Sequence, residues 1–303
     1  MLKHLIKQKL TAYLQAHITP GLIEAAATRL LQEQRRERLL QAALHGQEAG
    51  VAATTAGETP VIISLTTHGK RFYEVCTTIE SLMQGTVKPN GIVLWRDERD
   101  RRPLPVTLQR QMERGLQVLG TRDLQSYTKL LPALKMYPDA HIITVDDDIF
   151  YPHDFLENIL IEHSKNTHSI VGNMVMRLSR DAEGIPTGIL DWPYLKEETQ
   201  EASKDLFFEG FGGVFYPAGC MPEEVFHKEV FQDICPTADD VWFNAMARLA
   251  GTPIAVCQRG NYDYLQADNH VCQDSALHLI NNSGNRNDRQ LRAVWQHYHL
   301  QGQ

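Results

Sequence analysis

Residues 141–148, His-Ile-Ile-Thr-Val-Asp-Asp-Asp, constrain this chain more than any other stretch. The apolar, β-branched run reads as a buried strand, yet it empties into Asp146, Asp147 and Asp148. Three adjacent carboxylates repel one another and desolvate poorly, so they do not belong inside a core. They are tolerated where a strand leaves a sheet and cations can reach them. The fold must therefore bury this strand along its length and open it at its carboxyl end.

From Pro60 onward, apolar strands alternate with helical runs, which predicts an α/β fold around a parallel sheet. Val61 to Leu65 is a buried strand followed by the loop Thr66 to Arg71, and Phe72 to Met83 is helical. Gly91 to Trp95 is a second strand, followed by a charged loop containing proline. Thr107 to Leu116 is a helix, Gln117 to Leu119 a short strand, and Tyr127 to Tyr137 a helix that stops at Pro138. Open α/β sheets bind ligands beyond the carboxyl ends of their strands. The 66–71 loop and the three aspartates are thus expected on one functional edge.

Residues 1–57 are expected as a helical extension and linker, and residues 58–303 as the catalytic domain. Leu2, Leu5, Ile6, Leu10, Tyr13 and Leu14 recur at helical spacing with Lys3, Lys7 and Lys9 between them. Pro20-Gly21 breaks the pattern, and a second helix runs from about Leu22 to Leu44. The segment Gly46 to Pro60 is small and polar, as a linker is. The extension is expected to be dispensable for chemistry. Residues 1–45 would serve packing or oligomerisation, or lie peripherally on an anionic membrane.

Composition removes several classes. The net charge is −7, and residues 1–50 hold seven Lys/Arg against four Glu, which leaves −10 for the rest. Such a balance argues against general nucleic-acid binding, which needs cations in excess. The five cysteines are odd in number and widely spaced, with no Cys-x-x-Cys pair, so reduced thiols in a cytoplasmic protein are expected. No apolar run spans a bilayer and the first residues lack a secretory core, so the expected place is the cytoplasm, at most peripheral to the inner membrane.

Asp146 and Asp148 form an Asp-x-Asp pattern, whose hard oxygen ligands suit Mn²⁺ or Mg²⁺ shared with substrate phosphates. A second acidic pair, Asp239-Asp240, precedes the apolar run Val241 to Leu249 and so falls at a helix N-terminus. Thr237 or Asp239 would suffice as the cap, which leaves one carboxylate free to act as a general base. Trp242 beside it is a candidate sugar-stacking platform. Between the acidic pairs, Gly212-Gly213 in Glu209 to Pro217 would let backbone approach a ligand or bend a strand. Lys129 and Arg71 are the cations best placed to meet phosphate oxygens. In the tail, His270, His278 and Asn281 to Asp288 single out no specific ligand.

Together, Ser64-Leu65-Thr66-Thr67-x-x-x-Arg71, Ser126-Tyr127-x-Lys129-Leu130-x-Pro132-Ala133-Leu134, Val145-Asp146-Asp147-Asp148, Gly212-Gly213-Val214-x-Tyr216-Pro217, Thr237-Ala238-Asp239-Asp240-Val241-Trp242 and Gly284-x-x-Asn287-Asp288 resemble bacterial GT-A glycosyltransferases of the surface-polysaccharide (capsule or lipopolysaccharide) type. The resemblance covers roughly residues 60–300 and rests on the order of several motifs. It implies a Rossmann-like, mostly parallel sheet flanked by helices, a nucleotide-sugar donor (a UDP-sugar favoured), a divalent cation, and a glycan or lipid-linked glycan acceptor. By similarity, Asp146 and Asp148 would be the metal and donor residues, with Thr66, Thr67 and Arg71 lining the nucleotide pocket; Lys129 and Asp147 are expected on the donor side with them. Gly212, Gly213 and Trp242 are the candidates expected to face the acceptor. Asp240 is the base of an inverting transfer beside Asp239, which stands where Glu is often found. A Mg²⁺-dependent nucleotidyltransferase or phosphohydrolase would also use clustered carboxylates, and a glycan-binding scaffold without activity would keep the same fold.

Overall fold

The computed structural model describes residues 9, 20–195, 201–257 and 285–302. The first amphipathic helix expected before Pro20 lies outside them, apart from Lys9, as do His270, His278 and residues 281–284.

The chain enters through α1 (Pro20–His45) and then alternates β1 (Val61–Thr66), α2 (Val75–Met83), β2 (Gly91–Asp97), α3 (Val106–Met112) and β3 (Leu116–Thr121). A 3-10 turn (Gln125–Lys129), α4 (Leu131–Met136) and β4 (His141–Thr144) complete this half. The expected helix from Tyr127 is thus split, because Pro132 has no N–H to give and starts the α-helical part afresh. The second half runs α5 (Phe155–Lys165), β5 (Ile170–Arg177), β6 (Leu206–Tyr216), α6 (Lys228–Ile234), α7 (Asp239–Ala250), β7 (Ile254–Val256) and α8 (Arg286–His297).

The seven strands form one sheet in the order β3-β2-β1-β4-β6-β5-β7. The pairs β1/β2, β2/β3, β1/β4 and β5/β7 are parallel, and β6 runs antiparallel to both β4 and β5. The Rossmann-like, mostly parallel sheet flanked by helices that the sequence implies is therefore present. Val61 to Leu65 and Ile142 to Thr144 are buried, as strands covered on both faces must be. The strand order reverses between β1 and β4, which opens a crevice at their carboxyl ends. Thr66-Thr67 and Asp146 to Asp148 leave the sheet there.

Part of the expected tether is packed core. Leu39 and Ala43 of α1 are buried, Ala43 within the same cluster as Val75, Ile79 and Leu108. Arg114 donates to the carbonyls of Ala42 and Glu48 (3.3 and 2.7 Å) and pairs with buried Glu80 at 2.8 Å. A Cβ on Gly46 would meet the Ala42 carbonyl at 2.6 Å, and one on Gly50 would meet Met83 at 2.5 Å. Smallness at these two positions serves close approach rather than flexibility.

Candidate active site

Two acidic groups meet at the crevice. The first leaves β4. Arg71, on the 3-10 turn after β1, pairs with Asp147 at 2.8 Å and with Asp148 at 3.1 Å. Arg102 steadies that turn by donating to the Gly69 carbonyl at 2.6 Å while its guanidinium covers the Phe72 ring. Tyr151 holds the other side: the Asp146 N–H donates to its hydroxyl at 3.0 Å. Thr78 donates to the Asp147 carbonyl at 3.0 Å. Burial, with Asp146 and Asp147 nearby, pushes the Asp148 carboxyl up to about 6, and Arg71 pulls it back only in part.

The second group is carried by α7. Its cap residue is Ala238, which makes no side-chain cap, so Asp239 and Asp240 both lie in the first turn and neither Thr237 nor Asp239 is needed as cap. Thr237 instead donates its N–H to Gln290 of α8 at 2.9 Å. Asp240 Oδ2 accepts the Gly210 N–H at 3.0 Å, while its Oδ1 is buried without a hydrogen-bond partner. Burial and the neighbouring Asp239 push the Asp240 carboxyl up to about 8, against Lys129 and the Gly210 N–H. Asn244 fixes the helix to β6 through both Phe208 backbone groups, at 3.0 and 2.9 Å.

Lys129 joins the two groups. Its ammonium is 3.1 Å from Asp146 and 3.4 Å from Asp239, and a Cβ on Gly210 would come within 2.7 Å of it. Burial opposes its charge, but Asp146, Asp239 and Asp240 outweigh burial and hold it protonated well above the ordinary lysine range. Gly210 is thus an essential neighbour, because any side chain there would strike Asp240 at 2.6 Å.

The structure does not gather every expected residue. Thr66 spends its hydroxyl on the Trp95 carbonyl at 3.2 Å, whereas the Thr67 hydroxyl is buried without a partner. Trp242 is a correction: it is 0% exposed, donates to the Val225 carbonyl at 3.1 Å and packs edge-on to Phe231. Two residues along a helix is about 200° around its axis, so Trp242 faces the core when Asp240 faces the crevice. Gly212 and Gly213 are a second correction. Cβ atoms there would strike Met174 and Phe155, each at 2.6 Å, so both glycines permit packing behind β6. Asp288 of the tail accepts the Ile189 N–H at 3.0 Å and anchors the segment before Trp192.

Sequence reasoning missed Tyr194. It stands two residues after Trp192, 42% exposed, and donates to Glu209 Oε2 at 2.5 Å. Burial raises the Glu209 carboxyl above its ordinary value. Glu209 directly precedes Gly210, so this aromatic–carboxylate pair begins one residue from the Asp240 contact. An exposed aromatic in an aspartate- and proline-bordered stretch was the only available signal.

Oxygen donors suitable for Mn²⁺ or Mg²⁺ come from Asp146 and Asp148, whose side chains keep 29% and 19% exposure. Asp147 is at 6% and turned to Arg71, which makes it a structural neighbour of such an ion. Among the described residues, no group of three or more His, Cys, Asp or Glu forms a metal cluster. One or two carboxylates completed by substrate phosphates and water is the ordinary arrangement for these ions, so the residues present fit.

No protein-family model and no curated protein matches this sequence. Among solved structures, the chain is similar to the mannosyltransferase PcManGT from Pyrobaculum calidifontis, determined with GDP-Man and Mn²⁺. The identity is 14% over 79% of this chain and 69% of that one, with a TM-score of 0.42. It is also similar to S. aureus TarS 1–349, determined with UDP, at 13% identity over 67% of this chain and 59% of that one, TM-score 0.42. Likeness at this level carries no information on substrate. Among the described residues, no helix is long and apolar enough to cross a membrane.

Proposed function

We propose that this protein is a metal-dependent glycosyltransferase that moves a sugar from a nucleotide-sugar donor, a UDP-sugar favoured, to a hydroxyl of a bacterial cell-surface glycan. The observation that carries this reading is the convergence of Asp146 and Asp239-Asp240 on the single buried ammonium of Lys129 at the β1/β4 crevice. Donor and acceptor chemistry need acidic groups on two sides of one reacting centre, and this arrangement supplies them.

Thr67, with its unpartnered hydroxyl, and Arg71 border the donor side. Asp146 and Asp148 would hold Mn²⁺ or Mg²⁺, which when bound offsets the charge that gathers on a departing nucleoside diphosphate. Asp240 is the base. Its free Oδ1 takes the proton of the acceptor hydroxyl while that oxygen bonds to the anomeric carbon. The carbon–oxygen bond to the diphosphate breaks on the opposite face, and its electron pair leaves with the diphosphate, so the sugar inverts. A carboxyl raised to about 8 is a stronger base than an ordinary aspartate, and burial is the cause. On the acceptor side, Tyr194 and Glu209 take the place first given to Trp242: an exposed ring can stack on a sugar face, and a carboxylate can accept its hydroxyls.

Incubation with a panel of nucleotide sugars, with and without Mn²⁺, and measurement of released nucleoside diphosphate tests this reading. The expected result is cation-dependent release from one donor. Absence of both release and donor binding across the panel would remove the assignment.

A further inference from the structure

On the far side of Tyr151 from the carboxylates, α1 closes over a cavity of about 190 Å³. Arg35 and Arg38 of α1 line it, together with Gln84, Tyr151 and His153. The Arg35 guanidinium donates to the Tyr151 carbonyl at 2.8 Å and lies 5.9 Å from the Phe150 ring centroid. Among the described residues, no carboxylate takes its remaining N–H groups. Among the described residues, Arg38 bonds within its own helix, to the Gln34 carbonyl at 3.2 Å.

The charges around this cavity are unbalanced. Arg36, between the two, is matched by Glu74 at 2.5 Å, yet among the described residues no carboxylate pairs with Arg35 or Arg38. Two guanidinium groups three residues apart on a helix repel, and burial together with Arg38 weakens the hold of Arg35 on its proton. His153 lies against the same cavity with its Nδ1–H given to the Gln84 carbonyl at 2.9 Å, so the grip on an anion falls to the two guanidinium groups. The chain as a whole carries −7, so this local excess of cations is not an average property of its surface. Planar guanidinium forks match phosphate oxygens in pairs. The volume equals that of about six liquid waters, room for one phosphate group.

We propose that this cavity is a binding site for a phosphate group, gripped by Arg35 and Arg38 and separate from the carboxylate crevice. The phosphate can come from a soluble phosphomonoester or from a lipid headgroup presented beside α1. The inference does not depend on the glycosyltransferase reading.

The test uses the whole chain and two probes. Inorganic phosphate is titrated by calorimetry at constant ionic strength, and cosedimentation is measured with phosphatidylcholine vesicles with and without phosphatidylglycerol. Arg38→Gln and Arg35→Gln are compared with Arg71→Gln, which alters the crevice instead. Binding of phosphate that falls at least roughly tenfold in the α1 variants, the loss of one charge-assisted hydrogen bond, and persists in Arg71→Gln supports the soluble source. Sedimentation only with phosphatidylglycerol, lost in Arg38→Gln, supports the lipid source. Arg38 is exposed, so Arg38→Gln decides the matter even if Arg35→Gln fails to fold. Failure of both probes to bind, or binding that only Arg71→Gln weakens, overturns the proposal.

Discussion

The ammonium of Lys129 lies 3.1 Å from Oδ1 of Asp146, bringing a 3-10 turn and a strand end together at the bottom of the crevice. The same nitrogen is 3.4 Å from Asp239. One buried cation is therefore shared between the side of the site that would face the donor and the side that would hold the base. It is the electrostatic joint of the site, not a surface lysine waiting for phosphate.

Removing that joint should destabilise the fold. Lys129→Met keeps the length of the side chain but leaves Asp146, Asp239 and Asp240 without their shared counter-ion. Breaking a buried pair by deleting one partner costs about 3–5 kcal/mol. Acidification lets the stranded carboxylates bind protons, so the loss should shrink as pH falls. Melting temperatures of wild type and variant from pH 5 to pH 8 check this, and a gap that ignores pH would contradict it.

Asp240→Asn should trade activity for stability. Removal of a positioned base lowers turnover by about 10²–10⁴ with donor affinity retained. The folded-state pKa of Asp240, about 8, lies above its ordinary 3.8, so the folded protein holds a proton that the unfolded chain releases. The contribution to stability is full below about pH 4 and is lost as pH rises towards 8. Asn carries no such penalty. The variant should melt higher than wild type at pH 8 and lose the wild type's fall in stability over that window. Wild-type kcat/KM should rise with pH through the same titration. Near-native turnover in the variant would refute the base assignment.

Much of this frame was legible in the sequence. Val61 to Leu65 and His141 to Val145 read as strands because both faces are buried, and adjacent aspartates at a strand end leave few alternatives. β6 was not legible: Gly210, Gly212 and Gly213 interrupt it, and its antiparallel insertion depends on packing against Met174 and Phe155. Trp242 was misread although helical geometry alone places it opposite Asp240. Gly46 and Gly50 fall in the stretch that reads as a linker, and close approach and flexibility call for the same residue. Lys129 carries no local sign of burial; only the arrival of Asp239 from a distant helix creates its environment.

Cation dependence is tested at Asp148. Asp148→Ala removes one candidate ligand at the crevice mouth, where the side chain keeps 19% exposure, so folding should survive. Calorimetry with the donor nucleotide should show binding that weakens in chelator for wild type and is already weak, with or without Mn²⁺, for the variant. Asp147→Ala should act differently and lower the melting temperature, because it strips Arg71 of its 2.8 Å partner. Donor binding of equal strength with and without cation would sink the metal assignment.

Residues 1–57 as an independent extension remain a proposal, and the packing of α1 predicts what deletion does. A chain starting at residue 58 loses Leu39 and Ala43 from the core, the Arg36–Glu74 pair and two carbonyls bonded to Arg114. Leu39→Ala alone should cost about 2–3 kcal/mol, the lower range for a buried leucine. The deletion should cost more, and a melt of each protein measures both. An unchanged melting temperature on deletion would restore the reading of a tether.

The last prediction concerns Tyr194 and Glu209, joined at 2.5 Å and leading directly into the Gly210–Asp240 contact. If the exposed ring receives an acceptor sugar, Tyr194→Ala should raise the acceptor KM strongly while leaving donor binding intact. An aromatic contact contributes about 0.5–1.5 kcal/mol beyond its buried area, so a rise of roughly threefold to tenfold is expected. Tyr194→Phe keeps the ring and loses the hydroxyl, so it should keep most of the acceptor affinity. It takes from Glu209 a hydrogen bond that opposes the effect of burial, so the Glu209 carboxyl moves further above its ordinary value. Glu209→Gln should weaken acceptor hydroxyl binding and, because the Glu209 charge helps to raise the Asp240 carboxyl, should move the pH profile of turnover to lower pH. The decisive comparison is hydrolysis of the donor by water against transfer to the acceptor. Tyr194→Ala and Glu209→Gln should impair transfer and spare hydrolysis, whereas equal loss of transfer and hydrolysis would place Tyr194 and Glu209 in the fold rather than in the acceptor site.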